Sequence, residues 1–222
     1  MITHLGIIAD GNRRWAKSQG LPTIEGHKKG LDAISELVNA ANEAGVKFLT
    51  FYVFSTENWG RSTDEVSYIM QLAETRILKY AEKLAAKNAR MLVLGSHERI
   101  SPKLASIIEQ AEKITAKCTG ITVCFCFNYG GEQEIADAAK IASEVDGEIT
   151  PETIRKHLYH PEVPNVDMVV RTSGEQRISG FMLWRSAYAE FYFVKKYFPE
   201  MGGDDIRDIL AEYEKRNRRF GK

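Results

Sequence analysis

Cysteine is scarce in this chain: three residues in 222, Cys118, Cys124 and Cys126. With no C-x-x-C pair and too few thiols for a disulfide framework, reduced cysteines and a cytoplasmic location are expected. The five histidines are scattered without an H-x-x-x-H pair, so the usual zinc patterns are missing. No run approaches the ~18 apolar residues needed to cross a bilayer, and the N-terminus lacks a charged leader followed by an apolar stretch. An excess charge of one sign is absent too: 30 Lys and Arg face 30 Asp and Glu. That balance gives no sign of a nucleic-acid partner, whose binding domain is usually basic. Neither G-x-x-x-x-G-K-[ST] nor a G-x-G-x-x-G after a strand occurs, so an ordinary nucleotide site lacks its signature.

What is present is the composition of a globular protein, 44% hydrophobic and 27% charged, at a length that fits one domain over 1–222. Short β-branched or aromatic runs predict strands near 4–9, 47–54, 89–95, 121–127, 166–171 and 190–194. Cys124 and Cys126, two apart in one run, share a strand face and pack there. Helical patterns lie between the runs. One spans Glu25 to Ala44 and stops at Gly45. Ser62-Thr63-Asp64-Glu65 resembles a capping box opening a long amphipathic helix with Val66, Ile69, Met70, Leu72 and Ala73 on its apolar side. Ser101-Pro102 and Thr150-Pro151 each place a capping residue before a first-turn proline. The alternation predicts an α/β domain with a central, mostly parallel six-stranded sheet flanked by helices. Ligands of such sheets bind beyond the carboxyl ends of the strands.

The strand ends carry unusual chemistry. The first apolar run ends in Asp10-Gly11-Asn12-Arg13-Arg14-Trp15, with Gly11 making the turn and Asn12 placed to cap the next helix. Alone, Asp10-Gly11-Asn12 is good turn chemistry. The second run leads into Ser55-Thr56-Glu57-Asn58-Trp59-Gly60-Arg61, the fourth into Asn128-Tyr129-Gly130-Gly131, and the fifth into a segment from Arg171 through Arg177 to Ser179. On a parallel sheet all four share one edge. Arg14, Arg61, Arg171 and Arg177 together suit phosphate oxygens, which guanidinium forks bind in pairs. Asp10 among them fits a magnesium ion held by one carboxylate and several phosphate oxygens. The competing explanation is a surface ion-pair network with Glu57, Glu175 and Glu190. The helix from Thr63 and the strands beneath the rim line either an apolar tunnel, for a ligand with an anionic head and an apolar body, or plain core, and periodicity does not separate the two.

The blocks "DGNRRWA", "GHKKG", "FSTENWGR", "NYGG", "RTSGEQRISGFMLW" and "AYAEFYF" together resemble the cis-prenyltransferase family, of undecaprenyl diphosphate synthase type, over nearly the whole chain from His4 to Gly221. The resemblance implies an Mg²⁺-dependent enzyme. It would add isopentenyl diphosphate units with cis geometry to an allylic diphosphate such as farnesyl or geranyl diphosphate. It further implies a homodimer or a pair with a related subunit, no nucleic acid, and transient contact of long products with a membrane. Asp10 becomes the carboxylate that positions Mg²⁺. Gly11, Asn12 and Arg14, with His27 and Arg61, surround the allylic diphosphate, and Arg13 and Trp15 of the same block join the substrate-binding set. Arg171, Arg177 and Ser179 hold isopentenyl diphosphate, Glu190 supports the metal or second diphosphate, Ser55 and Asn58 handle the proton lost on condensation, and Trp59 shapes the substrate wall. Arg219-Phe220-Gly221 fits an R-x-G element reaching the partner's site, although the basic run 216–222 also complements a helix end.

The pattern departs from the family in two places. Thr23 stands where the family often has arginine before Gly26-His27, and Val53, Phe125 and Phe127 stand where medium-chain synthases use small residues. Bulk there would shorten the tunnel, which keeps a short-chain (C10 to C20) synthase as an alternative to the undecaprenyl-type product. A noncatalytic partner subunit is the other alternative, opposed by the retained Asp10 and arginines.

Overall fold

Every residue of Thr122–Tyr129 is buried, so both faces of this strand are covered, as a parallel sheet demands. The computed structural model describes residues 2–216. Its six strands are β1 (His4–Ile8), β2 (Phe48–Ser55), β3 (Arg90–Leu94), β4 (Thr122–Tyr129), β5 (Met168–Arg171) and β6 (Glu190–Phe193). They form one sheet in the order β3-β4-β2-β1-β5-β6, and every pairing is parallel. The seven helices are α1 (Asn12–Ser18), α2 (Thr23–Glu43), α3 (Thr63–Ala85), α4 (Pro102–Thr115), α5 (Gly131–Ile141), α6 (Pro151–His157) and α7 (Gly203–Glu214). Among them, α1 to α6 supply the crossovers that parallel neighbours require.

Side chains alternate across the sheet as the strand period requires. Ile7, Leu49, Phe51, Val123, Phe125 and Val170 face α2, α3 and α7, meeting Ile34, Leu37, Leu84 and Ile206. Ile8, Tyr52, Cys124, Cys126 and Val169 face the other way, against Val163, Phe181 and Met182. The two cysteines thus share a face as expected. Burial pushes the Cys124 thiol up to about 12, which suits packing rather than nucleophilic chemistry.

The helix punctuation follows local chemistry with two corrections. Gly45 lies just past α2 at φ +82°, and Ser101 and Thr150 accept N–H bonds from Leu104 and Thr153. At α3, Ser62 accepts the Glu65 N–H at 3.4 Å, but the Glu65 side chain bonds Arg61 instead of returning to the cap. At α1, the N-cap is Gly11 in the left-handed region, and Asn12 lies inside the first turn with no capping bond.

After β4 the chain crosses to the far side of β1, so the strand order reverses and leaves a crevice between the carboxyl ends of β1 and β5. The return from β5 to β6, residues 172–189, contains no helix or strand. Arg185, 1% exposed, pins it. Its guanidinium donates to Glu134 Oε1 at 2.6 Å, Tyr159 O at 2.7 Å and Val163 O at 3.2 Å, and Glu134 is itself fully buried. Removing one partner of such a pair strands a buried charge. Arg185→Met or Glu134→Gln should therefore each cost about 3–5 kcal/mol, with the double variant losing less than the sum, as urea unfolding midpoints will show.

Candidate active site

Asp10 stands immediately beyond β1, in the crevice. Its backbone N–H donates to Thr172 Oγ1 at 2.9 Å, and the Thr172 hydroxyl donates back to Asp10 O at 2.6 Å, so the far side of the crevice sets its position. Arg171, at the end of β5 and 5% exposed, donates to Asp10 Oδ2 at 2.9 Å and to Ser179 Oγ at 2.8 Å. Arg14 donates to Asp10 Oδ1 at 3.1 Å, to Ser173 Oγ and to Glu175 Oε1. Arg177 closes the group on Glu175 Oε2 at 2.7 Å. Burial by itself would raise the Asp10 carboxyl, but the hydrogen bond and charge of Arg171, with Arg14, hold it below the ordinary carboxylate range.

A second charged group adjoins the first. Glu65 of α3 collects Arg61 at 3.0 Å, His27 at 3.4 Å and Arg13 at 3.6 Å. Burial lowers the His27 imidazole despite the opposing pull of Glu65, which favours its neutral form. The Gly-His-Lys-Lys-Gly block explains how His27 arrives: a Cβ at Gly26 would sit 2.0 Å from Asn12 O, so α1 and α2 approach this closely only because the residue is glycine. Ser55 and Asn58 stand one strand away at the end of β2, where Asn58 Oδ1 accepts the Ser55 N–H at 3.2 Å. Two polar atoms nearby, Asn12 Oδ1 and Arg171 Nε, are buried without any hydrogen bond.

Beneath the crevice a cavity of about 440 Å³ runs between the sheet and helices α2 and α3. Ala9, Asn12 and His27 line its polar end, while Val53, Ile69, Leu72, Phe125 and Phe127 line its apolar body. The apolar tunnel and the three bulky wall residues are therefore where the sequence puts them. Tyr80 packs edge-on against Phe125, ring centroids 5.7 Å apart.

Three residues fall outside this arrangement. Glu190 does not join Asp10: it pairs with Met168, which pairs with Leu5, so it occupies the amino-terminal edge of the sheet, roughly 15 Å from the crevice at about 3.3 Å per residue. Its carboxylate is engaged by Arg216 at 3.0 Å. Trp59 is not on the cavity wall. Its indole donates to Asn128 Oδ1 at 2.7 Å, and the Arg99 guanidinium lies 4.7 Å over its ring. Trp15 is half-buried on α1 and does not line the cavity. Arg219 and Gly221 lie outside the described residues. Conversely, Glu65, Thr172 and Ser173 complete the site without having been expected there. Thr172 and Ser173 lie in the strand-end loop already singled out, and Glu65 left its own trace, four residues after Arg61 on a helix face.

Among the described residues no cluster of three His, Cys, Asp or Glu side chains could cage a metal. A single anionic carboxylate, with the orphaned Asn12 Oδ1 nearby as a further oxygen donor, instead fits a magnesium ion that takes most of its ligands from phosphate oxygens and water. No helix among the described residues is long and apolar enough to cross a membrane.

The sheet, its arginine-lined switch point and the apolar cavity below define an α/β enzyme for phosphorylated ligands with an apolar body. Comparison with known proteins gives that class its chemistry. The family model described as putative undecaprenyl diphosphate synthase matches residues 8–221. An isoprenyl transferase of Neisseria meningitidis is 44% identical over 99% of this chain and 89% of its own length, and one of Listeria monocytogenes is 42% identical over 98% and 89%. Lavandulyl diphosphate synthase from Lavandula x intermedia, solved with dimethylallyl diphosphate, superposes with a TM-score of 0.94 at 34% identity, covering 100% of this chain and 98% of that one. A probable undecaprenyl diphosphate synthase from Campylobacter jejuni gives 0.86 at 30%, covering 100% and 99%. The chain belongs to the undecaprenyl diphosphate synthase family of cis-prenyltransferases, enzymes that transfer isoprenyl groups.

Gly11 offers a test of how tightly the crevice is built. Its φ is +99°, and an added Cβ would lie 2.7 Å from Tyr197 Cδ1 and 2.9 Å from Ser173 Cβ. Gly45, at φ +82°, has nothing within 4 Å of such a Cβ. Gly45→Ala should cost only the backbone term of about 1–2 kcal/mol, whereas Gly11→Ala should cost more in urea unfolding and also lower kcat/KM for prenyl transfer.

Proposed function

We propose that this chain is an Mg²⁺-dependent cis-prenyl chain-elongating synthase that condenses isopentenyl diphosphate with an allylic diphosphate, with an undecaprenyl-type product. The observation that carries this reading is Asp10, held anionic between Arg14 and Arg171, with its neighbours Ala9 and Asn12 lining the mouth of an apolar cavity.

In this mechanism His27, Arg14, Arg61 and the loop from Gly11 to Arg13 receive the allylic diphosphate, whose tail enters the cavity. Arg171, Arg177 and Ser179 receive the isopentenyl diphosphate. The present ion pairs with Asp10 and Glu175 keep these guanidiniums extended toward the crevice, and phosphate oxygens replace carboxylate oxygens when substrate binds. Magnesium, when bound through Asp10, supplies positive charge to the diphosphate. As the allylic C–O bond breaks, negative charge grows on the departing pyrophosphate, and the fixed arginines stabilise it without reorganising. The isopentenyl double bond attacks the allylic carbon, and the proton released leaves on the side of Ser55 and Asn58.

The dimeric state belongs to the same proposal. β6 ends the sheet, and Tyr188, 80% exposed, and Phe191, 36% exposed, lie on or beside it, an apolar edge suited to a second copy.

The wall residues favour a second reading. Val53, Phe125 and Phe127 narrow the cavity, and bulk in a packed wall limits how far an elongating chain can extend. A short-chain synthase would stop there. The test incubates the purified chain with Mg²⁺, labelled isopentenyl diphosphate and, separately, dimethylallyl, geranyl and farnesyl diphosphates, then sizes the products. A ladder reaching C50 to C55 supports the carrier-lipid reading, and products ending at C15 or C20 support the short-chain one. In the latter case Phe127→Ala should lengthen them. Absence of product from every primer would leave a partner subunit. Asp10→Ala should lower incorporation by about a hundredfold or more; intact incorporation would overturn the mechanism.

A further inference from the structure

The cavity is open along one side. α2 packs on α1 and α7, and α3 packs on α4, but the backbones of α2 and α3 hardly meet. The gap is bordered by Lys28 and Leu31 of α2 and by Arg76, Lys79 and Lys83 of α3, all exposed and all part of the cavity lining. Arg76 is near enough to Lys28 across the gap for the two charges to repel.

The α3 stripe that faces this gap changes character along its length. Ile69, Leu72 and Ala73 are apolar, and the same helix face then presents Arg76, Lys79 and Lys83 at spacings of three and four residues. Among the described residues none of these three cations makes a hydrogen bond or ion pair, while Lys28 is held by Glu25 at 2.6 Å. Asp32 is the one acid among the lining side chains, and Glu82, between Lys79 and Lys83 in sequence, lies off the rim. An apolar slit edged by unpaired cations is complementary to a surface that has anionic groups outside and hydrocarbon within.

We propose that the α2–α3 slit docks on an anionic lipid bilayer, with Arg76, Lys79 and Lys83 contacting lipid headgroups, so that a prenyl chain outgrowing the cavity passes sideways into the membrane. The physical need is volume: a chain longer than the cavity holds must leave it during elongation, and its apolar surface is costly in water. The passage of product rests on the chain-elongating reading. Docking does not, and it is tested without substrate.

The full chain is floated with vesicles of phosphatidylcholine alone and of phosphatidylcholine with one-third phosphatidylglycerol, at low and high salt. Binding is expected to the anionic vesicles only, weakening as salt rises. At the strength typical of basic residues near an anionic surface, Arg76→Gln/Lys79→Gln/Lys83→Gln should weaken binding on the order of a hundredfold. Lys103→Gln/Lys113→Gln, which removes two cations of α4, should bind as the parent does, and circular dichroism will confirm that both variants are folded. No binding to anionic vesicles, equal binding to neutral ones, or a folded triple variant that binds like the parent would each overturn the proposal. A chain that makes prenyl products but does not float refutes docking and leaves the function standing; one that floats but makes no product does the reverse.

Discussion

The contact between Asp10 and Arg171 joins two strands that are adjacent in the sheet yet 161 positions apart in the chain. Arg171 is almost wholly buried, and a buried guanidinium without an anion is costly. Asp10 supplies that anion from the far side of the crevice, where Thr172 holds its backbone from both directions. The position of the β1 and β5 ends relative to one another is thereby determined by charge as well as by the backbone ladder. The same arrangement keeps the carboxylate ionised and gathers the guanidiniums of Arg14 and Arg171 around it.

Two opposed environments meet at this contact. On the edge of the sheet the chain concentrates charge; on the face beneath α2 and α3 it leaves an apolar cavity with aromatic walls. Amphiphilic substrates need both within one molecular length. The segment 172–189, which carries Arg177 and Ser179, reaches this junction without helix or strand of its own. Its order comes from buried Phe181 and Met182 and from Arg185, whose guanidinium satisfies backbone carbonyls and a buried carboxylate together. Tyr52 adds a tether by donating to Tyr129 O at 3.1 Å and Ser179 O at 3.3 Å. Segment 172–189 is thus fastened by buried side chains instead of by secondary structure.

Much of this was legible before any coordinates. Short apolar runs ending in Asp10, Ser55, Asn128 and Arg171 predicted strands, and their alternation with helices predicted that these ends share an edge. The bulky tunnel wall of Val53, Phe125 and Phe127 was legible only through the resemblance, which puts small residues of medium-chain synthases at those positions. Errors arose where a local rule met a tertiary competitor. Asn12 has good capping chemistry, but Gly11 takes the left-handed turn and α2 covers Asn12 from above. Glu65 completes a capping box by spacing, yet three basic side chains claim it. Glu190 was assigned to the metal or second diphosphate by resemblance, yet it begins β6, and register carries it to the opposite edge from Asp10.

The sequence by itself determined the elements, the parallel class of the sheet and the family, because periodicity, capping residues and ordered motif blocks are local properties that survive without contacts. Tertiary structure alone decided which charges meet. Whether Arg14 reaches the remote Glu175 as well as Asp10, whether Trp59 turns toward the cavity or toward Asn128, and whether α2 and α3 close over the tunnel or stand apart all depend on strand order and helix packing. These set distances of a few ångströms between residues 69 to 161 positions apart, and over that range neither spacing nor composition along the chain carries information.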